Sequence, residues 1–268
     1  MPRKIKRYGW RRDLPDHRDI MFTAPSPITA AALPVCVDLR QSMPPVYDQG
    51  DVGSCTGNST AAAMQFEHRK QGLTPDFVPS RLFVYWNARE AEGDTDVDGG
   101  AQIRDAVKGV AKYGAPPETD WPYEPSQVLV KPSDAAYANA KDDLAINYRR
   151  VVQTNFNLRS CLASGVPFIF GFTVYESFES DPVAQTGTVP MPGTDEGVLG
   201  GHAVLGVGYD NDNRVFIVRN SWGAGRGKQG YFTMPYAYLD GGNGLASDFW
   251  QVSKVSAPAV PVPVPPLA

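Results

Sequence analysis

Cys55 is the residue whose type and position most directly suggest chemistry. It ends the run Gln49-Gly-Asp-Val-Gly-Ser-Cys55, which opens a predicted helix. A thiol at the amino end of a helix lies at the positive end of the helix dipole, where the thiolate is stabilised and the thiol pKa falls. We therefore interpret Cys55 as a candidate nucleophile; the alternative is a small buried apolar side chain.

His202 is the histidine best placed to serve as a base. It begins the apolar run 202–209, which a turn connects to a second run that contains Asn220. If the two runs form an antiparallel hairpin centred near residues 211 and 212, Asn220 falls almost opposite His202. An Asn amide oxygen at that separation accepts a hydrogen bond from an imidazole N–H and so selects the other ring nitrogen as the base.

Gln49 and Trp222 complete the candidate site. The Gln49 side-chain amide and the backbone N–H of Cys55 form a potential oxyanion hole, in which each donor is commonly worth about 3 to 4 kcal/mol in the transition state. Trp222 follows Asn220 closely and is expected to shield the bond between histidine and asparagine from water.

The elements that must position these residues change character along the chain. Helical patterns come first and apolar, partly β-branched strands come later, which predicts an α+β architecture with two segregated halves. The predicted helices cover residues 54–70, 80–91 and 103–113, and the predicted strands cover residues 168–174, 202–209 and 214–220.

Composition narrows the classes of partner. The 268 residues carry a formal net charge of -4 with a pI near 5.4, so no nucleic acid is expected as a partner. The longest apolar runs fall short of the roughly 20 residues that span a bilayer, so no membrane association is expected. The basic N-terminus lacks the apolar core of a signal peptide, which predicts a cytoplasmic protein or one exported by another route.

Two further patterns could imitate other kinds of site. Cys36 and Cys161 form a disulfide in one interpretation and remain reduced structural thiols in the other. The acidic run 94–99, followed by Asp105, imitates a calcium-binding loop, although Ala101 and Asp105 stand where that loop has other residues. We expect neither a metal nor a cofactor.

The two ends of the chain differ from its centre. Residues 1–32 form a basic N-terminal arm, which is either a solvated tail or an arm that lies across the body as a pro-segment would. Residues 256–268 form a Pro-rich C-terminal tail with a bias to extended geometry.

The site motifs together resemble those of the papain-like cysteine peptidases. The family reads Gln-Gly-x-Cys-Gly-Ser-Cys-Trp at the nucleophile, and Gln49, Gly50 and the segment 53–55 match it. The His-Ala, Asn-Ser-Trp-Gly and Gly-x-Gly-x-x-Gly-Tyr motifs are also present, at residues 202–203, 220–223 and 225–231. Val52 replaces the usual disulfide cysteine, which is typical of a bacterial-type, disulfide-poor member.

The resemblance implies a two-lobed peptidase domain over residues 33–255. Its helical left half covers about 45–120, and its β-rich, barrel-like right half covers about 121–255 plus 33–44, with the active-site cleft between them. The resemblance also implies substrate-binding roles, and small residues among these positions predict a roomy apolar pocket. The implied substrate-binding residues are Gly99, Gly100, Ala101, Gly171, Ala203 and Trp222.

The predicted function is that of a monomeric cysteine endopeptidase acting on peptides or proteins. Cys55, His202, Asn220 and Gln49 are its expected catalytic residues, and the arm is expected to cover the resting cleft. Two alternatives remain open: an acyl-transfer enzyme of transpeptidase or transglutaminase type, and a catalytically silent binding protein on the same scaffold.

Overall fold

The α+β class predicted from the sequence is confirmed by a computed structural model that describes residues 8–22 and 32–256. Within those residues the helices, in chain order, are α1 Cys55–Lys70, α2 Arg81–Glu92, α3 Ile103–Tyr113, α4 Asp134–Ala140, α5 Asn155–Ala163, α6 Asp181–Thr186 and α7 Tyr236–Leu239. The strands are β1 Trp10–Arg11, β2 Met21–Phe22, β3 Cys36–Asp38, β4 Ala101–Gln102, β5 Ala145–Val151, β6 Phe168–Tyr175, β7 Val198–Asp210, β8 Val215–Arg219, β9 Tyr231–Pro235 and β10 Ala246–Val255.

The central helix α1 is buried on nearly every side. Its residues from Cys55 to His68 are buried, and the exposed end consists of Arg69 and Lys70. Gly57 lets α2 approach closely, because a Cβ at this position would lie 2.5 Å from the carbonyl oxygen of Arg81. Ser80 begins α2 by accepting a hydrogen bond from the backbone N–H of Phe83.

The strands of the second half form one sheet with the order β2-β5-β10-β6-β7-β8-β9, and β3 pairs with β7 beside this path. Neighbours are antiparallel except for β2 and β5. No ladder joins β2 to β9 among the residues described, so the β-rich half is an open sheet here and the expected barrel-like closure is not seen.

The two halves share a core in which α1 packs against β7 and β10. On the opposite side of the sheet, a second core is dominated by aromatic side chains. β7 begins at Val198, four residues before the predicted strand start at His202. Because β6 and β7 contribute to both cores, the strand that carries His202 is fixed from two sides.

The described part of the N-terminal arm is attached to both halves. β1 pairs in parallel with β4 in the helical half, and β2 pairs in parallel with β5 at the edge of the large sheet. Phe22 is buried in the aromatic core. These contacts favour the covering arm over the solvated tail for residues 8–22; residues 1–7, 23–31 and 257–268, which include nearly all of the Pro-rich tail, lie outside the described residues.

A cluster of ion pairs, which we call the arm anchor, holds the arm between its two strands. Asp19 pairs with Arg104 at 2.7 Å, and Arg150 lies 3.3 Å from Asp13 and 3.0 Å from Asp248. The anchor residues are Asp13, Asp19, Arg104, Arg150 and Asp248.

Asp13 is the most deeply buried acid of the arm anchor. Its carboxylate accepts hydrogen bonds from Trp250 Nε1 at 2.8 Å and from the backbone N–H of Arg104 at 3.1 Å. Burial and the carboxylate of Asp248 nevertheless raise the pKa of Asp13 to about 6, since together they outweigh these donors. The contribution of this carboxyl to stability therefore increases as the pH falls through about 6 toward the ordinary pKa of 3.8.

Within the described residues, no helix combines the length and the apolar character that crossing a membrane requires.

We expect Asp13→Ala to lower the free energy of unfolding at about pH 5 by about 1 to 3 kcal/mol, because the carboxyl contributes more below its pKa and its loss leaves buried N–H donors of Trp250 and Arg104 without an acceptor. Urea denaturation of the full chain measures the change. Asp142→Ala, at an exposed position, is the matched control and should leave the midpoint unchanged. Equal midpoints for the two variants would contradict this account of the arm anchor.

Candidate active site

Cys55 is the first residue of α1 and its side chain is completely buried. The pKa of its thiol is raised to about 11, because burial disfavours the thiolate more than the surrounding donors favour it. Those donors are the backbone N–H groups of Ala203, Gly9, Thr56 and Cys55 itself. The lowered pKa predicted from the helix end is therefore wrong for this covered state, in which an arm residue lies against the sulfur.

His202 and Asn220 are brought together as the sequence predicted. The Nε2–H group of the buried His202 donates a hydrogen bond to Asn220 Oδ1 at 2.7 Å. This bond keeps the proton on Nε2, so Nδ1 carries the lone pair that can accept another proton.

The strand register that joins them differs from the expected one. Leu205 faces Arg219, so an extension of β8 would set Asn220 opposite Val204 instead of His202. An irregularity between Gly206 and Gly208 shifts the ladder, and Asn220 follows the last residue of β8. The imidazole and the amide therefore meet diagonally, which the lengths of the two side chains allow.

Trp222 covers the pair, as predicted. Its indole stacks on the imidazole of His202 with ring centroids 4.8 Å apart and an angle of 26° between the planes. The indole is buried, and the ring of Phe178 also packs against it, with the two ring centroids 5.5 Å apart. Water is thereby kept away from the hydrogen bond between His202 and Asn220.

Gln49 is held rigidly beside the helix start. Its side-chain Nε2–H donates to the carbonyl oxygen of Val52 at 2.9 Å, and its Oε1 accepts from the hydroxyl of Ser221 at 2.6 Å. The side-chain amide carries two N–H groups, and Val52 takes one of them. Because Ser221 follows Asn220, the same short segment orients both Gln49 and the imidazole.

The helix and the sheet meet at the sulfur. Ala203 follows His202 in β7, and its backbone N–H is among the groups that lower the pKa of Cys55. The amino end of α1 and the part of β7 that carries the imidazole therefore converge from the two halves of the protein.

Three consecutive arm residues lie across this convergence. Gly9 directs its N–H to the sulfur of Cys55, and its carbonyl oxygen accepts a hydrogen bond from the backbone N–H of Ala101 at 2.8 Å. Tyr8 lies on one side of the thiol, with its ring 6.2 Å from that of His202. Trp10 lies on the other side and is buried.

Trp10 fills a slot formed by two glycines. A Cβ on Gly171 would lie 1.9 Å from the indole, and a Cβ on Gly201 would lie 2.6 Å from it. Ala203 faces Gly171 in the ladder between β6 and β7. The slot is therefore apolar and wide enough for a two-ring aromatic group.

The predicted peptide-binding glycines have different surroundings. Gly100 meets the arm directly, because a Cβ there would lie 2.3 Å from the carbonyl oxygen of Gly9. Gly99 instead packs near the side chains of Asp94 and Val97. Ala101 is buried and pairs with Trp10 in register.

Sequence reasoning missed the residues that receive the Tyr8 side chain. Tyr8 donates a hydrogen bond to the carboxylate of Glu179, and Arg226 lies 3.6 Å from the same carboxylate. Glu179 lies in a turn far from the site motifs along the chain, and Arg226 occupies a variable position inside the motif at 225–231, so the sequence pattern assigns neither of them to substrate binding.

The acidic run that imitates a calcium-binding loop is paired with other protein groups. Asp94 pairs with Arg11 at 2.8 Å, and Asp98 accepts hydrogen bonds from Tyr85 and from the backbone of Gly53. Among residues 8–22 and 32–256, no group of three or more His, Cys, Asp or Glu side chains could hold a metal ion.

Cys36 is exposed and Cys161 is buried, and both are thiols, so the disulfide interpretation is wrong.

Comparisons with known proteins agree with the geometry. The family model described as "Papain family cysteine protease" matches residues 33–244. Xylellain, a cysteine protease from Xylella fastidiosa, superimposes with a TM-score of 0.86 at 42% identity, covering 95% of this chain and 97% of that one.

Two relatives known from their sequences extend the likeness. An uncharacterized peptidase C1-like protein of Acanthamoeba polyphaga mimivirus is 39% identical, covering 95% of this chain and 89% of the relative. Oryzain gamma chain of Oryza sativa subsp. japonica is 32% identical, covering 76% of this chain and 56% of that protein. The chain belongs to the papain family of cysteine proteases and is a cysteine peptidase.

Proposed function

We propose that this protein is a cysteine endopeptidase in which Cys55 and His202 form a thiolate–imidazolium pair, and that its N-terminal arm restrains it at rest. The observation that carries the proposal is the hydrogen bond between His202 and Asn220 at 2.7 Å, in a strand that also brings the N–H of Ala203 to the sulfur of Cys55.

The reaction begins when His202 Nδ1 takes the proton from the Cys55 thiol. The sulfur attacks the carbonyl carbon of a peptide bond, and the electron pair of the carbonyl moves to its oxygen. Gln49 and the backbone N–H of Cys55 stabilise that oxyanion. The protonated imidazole then gives its proton to the leaving amine, and water, deprotonated by His202, releases the acyl group and restores the thiol.

Hydrolysis is the reaction we propose, in preference to acyl transfer or silent binding. The matching family is one of proteases, and xylellain carries that description as well. A peptide or protein is the corresponding substrate. We propose that its backbone pairs with Gly100 and Ala101, and that one apolar side chain enters the slot between Gly171 and Gly201.

The position of the arm supports its restraining role. The arm group that meets the sulfur of Cys55 is the amide N–H of Gly9, whereas attack requires a carbonyl carbon. The arm also occupies the edge at Ala101 that an extended peptide would use. We infer that the arm blocks substrates while avoiding cleavage at Gly9, and that by burying Cys55 it keeps the thiol protonated.

The thiolate of Cys55 should therefore become available only at high pH in the intact chain. A thiolate forms as the pH rises through the pKa of the thiol, so alkylation by iodoacetamide should accelerate up to about pH 11. Trp10→Ala should shift that profile to lower pH. Mass spectrometry of each cysteine measures the rates, with exposed Cys36 as the internal reference; identical profiles for Cys55 in both proteins would contradict burial by the arm.

Trp10→Ala should also raise the hydrolysis of a fluorogenic peptide by the full chain. Losing a buried Trp side chain costs about 3 kcal/mol or more, which corresponds to roughly a hundredfold weaker occupancy of the cleft by the arm. Leu14→Ala changes an exposed residue of the same arm and is the matched control. Unchanged hydrolysis by Trp10→Ala, in a chain that still unfolds cooperatively, would count against restraint by the arm.

The catalytic assignments predict a graded loss of activity in the Trp10→Ala chain. Cys55→Ala should abolish hydrolysis, and Gln49→Ala should lower kcat by about 100- to 1,000-fold, because it removes an oxyanion donor. Asn220→Ala should cost about tenfold, since the imidazole loses one orienting hydrogen bond. Initial-rate kinetics measure kcat for each variant, and substantial turnover by Cys55→Ala would exclude Cys55 as the nucleophile.

A further inference from the structure

A second side-chain pocket lies across Cys55 from the slot that holds Trp10. We call it the Tyr8 pocket, and it is built from three separate segments. Glu179 ends the 3₁₀ turn that follows β6, Gly200 lies in β7, and Trp222 and Arg226 belong to the connection between β8 and β9.

Gly200 opens this pocket. It has a φ of 152°, and a Cβ at this position would lie 2.7 Å from the Cβ of Tyr8 and 2.9 Å from the ring. The aromatic ring of Tyr8 therefore fits because residue 200 lacks a side chain. On its other side the ring lies 6.4 Å from that of Trp222.

The far end of the Tyr8 pocket carries a charged pair. Only 11% of the Glu179 side chain and 10% of the Arg226 side chain are exposed, and the two lie 3.6 Å apart. Arg226 also lies over the Trp222 ring, 5.3 Å from its centroid. The carboxylate is thus fixed at the end of the pocket and its charge is balanced by a neighbouring guanidinium.

The hydroxyl of Tyr8 is a donor to this carboxylate. It hydrogen-bonds to Glu179 Oε1 across the pocket. Burial and this contact with Glu179 raise the pKa of the phenol above its usual range, so the hydroxyl keeps its proton. An uncharged donor suits the site better than a lysine would, because Arg226 already pairs with the carboxylate and repels a second cation.

We propose that Glu179 is a specificity-determining residue that selects tyrosine as the residue supplying the leaving amine of the substrate. The inference rests on the proposed peptidase function. His202 delivers its proton to the leaving amine, and the Tyr8 pocket is the one beside the rings of His202 and Trp222. The side chain that enters this pocket therefore belongs to the residue directly after the cleaved bond.

Selection arises from the cost of leaving a buried acceptor without its donor. Phenylalanine has the same ring but provides no hydroxyl for Glu179, and a hydrogen bond to a charged group is worth enough to discriminate about tenfold or more. In the arm, Gly9 separates Tyr8 from Trp10, so one spacer residue connects the two pockets. Because the Tyr8 pocket receives the residue after the cleaved bond, a substrate runs through the cleft in the direction opposite to that of the arm. The best substrate sequence is accordingly an aromatic residue, one spacer residue, and tyrosine after the cleaved bond.

The test uses the full chain with Tyr8→Ala and Trp10→Ala, which empties both pockets and leaves the arm anchor intact. Quenched fluorescent peptides containing Trp-Gly-Tyr, Trp-Gly-Phe or Trp-Gly-Lys are compared by kcat/KM, and the product masses identify the cleaved bond. We expect cleavage before tyrosine, with a ratio of about tenfold or more for Tyr over Phe.

Adding Glu179→Gln should lower the ratio of Tyr to Phe, because the neutral amide oxygen accepts a weaker hydrogen bond from the hydroxyl than the carboxylate does. Glu176→Gln, on the same 3₁₀ turn, is the matched control and should retain the ratio. A ratio near one before any change at Glu179, or the same ratio after Glu179→Gln, would overturn the assignment. Because each value compares two peptides on one protein, a general loss of active enzyme cancels.

A measurement without hydrolysis separates this inference from the proposed function. Tyr8→Phe in an otherwise unchanged chain should speed the labelling of Cys55 by iodoacetamide about tenfold, since the arm loses its hydrogen bond to Glu179. Unchanged labelling would overturn recognition of the hydroxyl. If labelling accelerates but no peptide is cleaved, the peptidase mechanism fails and substrate selection by Glu179 fails with it, whereas the contact between pocket and arm stands.

Discussion

The contact between the amino end of α1 and β7 at His202 and Ala203 is the constraint on which the rest of the structure depends. A sulfur from the helical half and an imidazole from the sheet can exchange a proton only if the two backbones approach closely. Small residues allow that approach: Ala62 in α1 and Ala203 in β7 are both buried in the core that the halves share. The hydrogen bond to Asn220 and the cover of Trp222 then fix the ring at this seam. A larger side chain at the seam would separate the catalytic groups while leaving each half intact.

The glycines that leave space for a substrate in the cleft also leave space for the arm. Gly100, Gly171 and Gly200 each leave room that Tyr8, Gly9 or Trp10 occupies. The arm is attached to the body by different residues, Asp13 and its neighbours in the arm anchor. Occlusion and attachment are therefore separate interactions: weakening the contacts in the cleft need not release the arm from the body. The raised pKa of Cys55 follows from occlusion, because water is excluded from the sulfur.

Much of the architecture and of the candidate site could be predicted from local patterns. The helix Ile103–Tyr113 has the predicted bounds, because an apolar face and a following glycine define it within the sequence itself. Cys55 stands at a helix start for the same local reason. The register between β7 and β8 could not be predicted, since the irregularity near Gly206 depends on packing from both faces of the sheet. Whether Cys36 and Cys161 pair could not be predicted, because a disulfide requires a distance that spacing along the chain does not set, and the structure leaves both as thiols.

The sequence by itself determined which reactive groups the protein carries and which short segments present them: a thiol at a helix start, an imidazole in an apolar strand, and the asparagine and glutamine near them. Only the tertiary structure decided what surrounds those groups. Glu179, Gly200 and Arg226 meet Tyr8 although they lie far from it along the chain. Helices and turns are governed by neighbours in sequence, whereas burial, pKa and pocket shape are set by whichever distant segments fill the surrounding space.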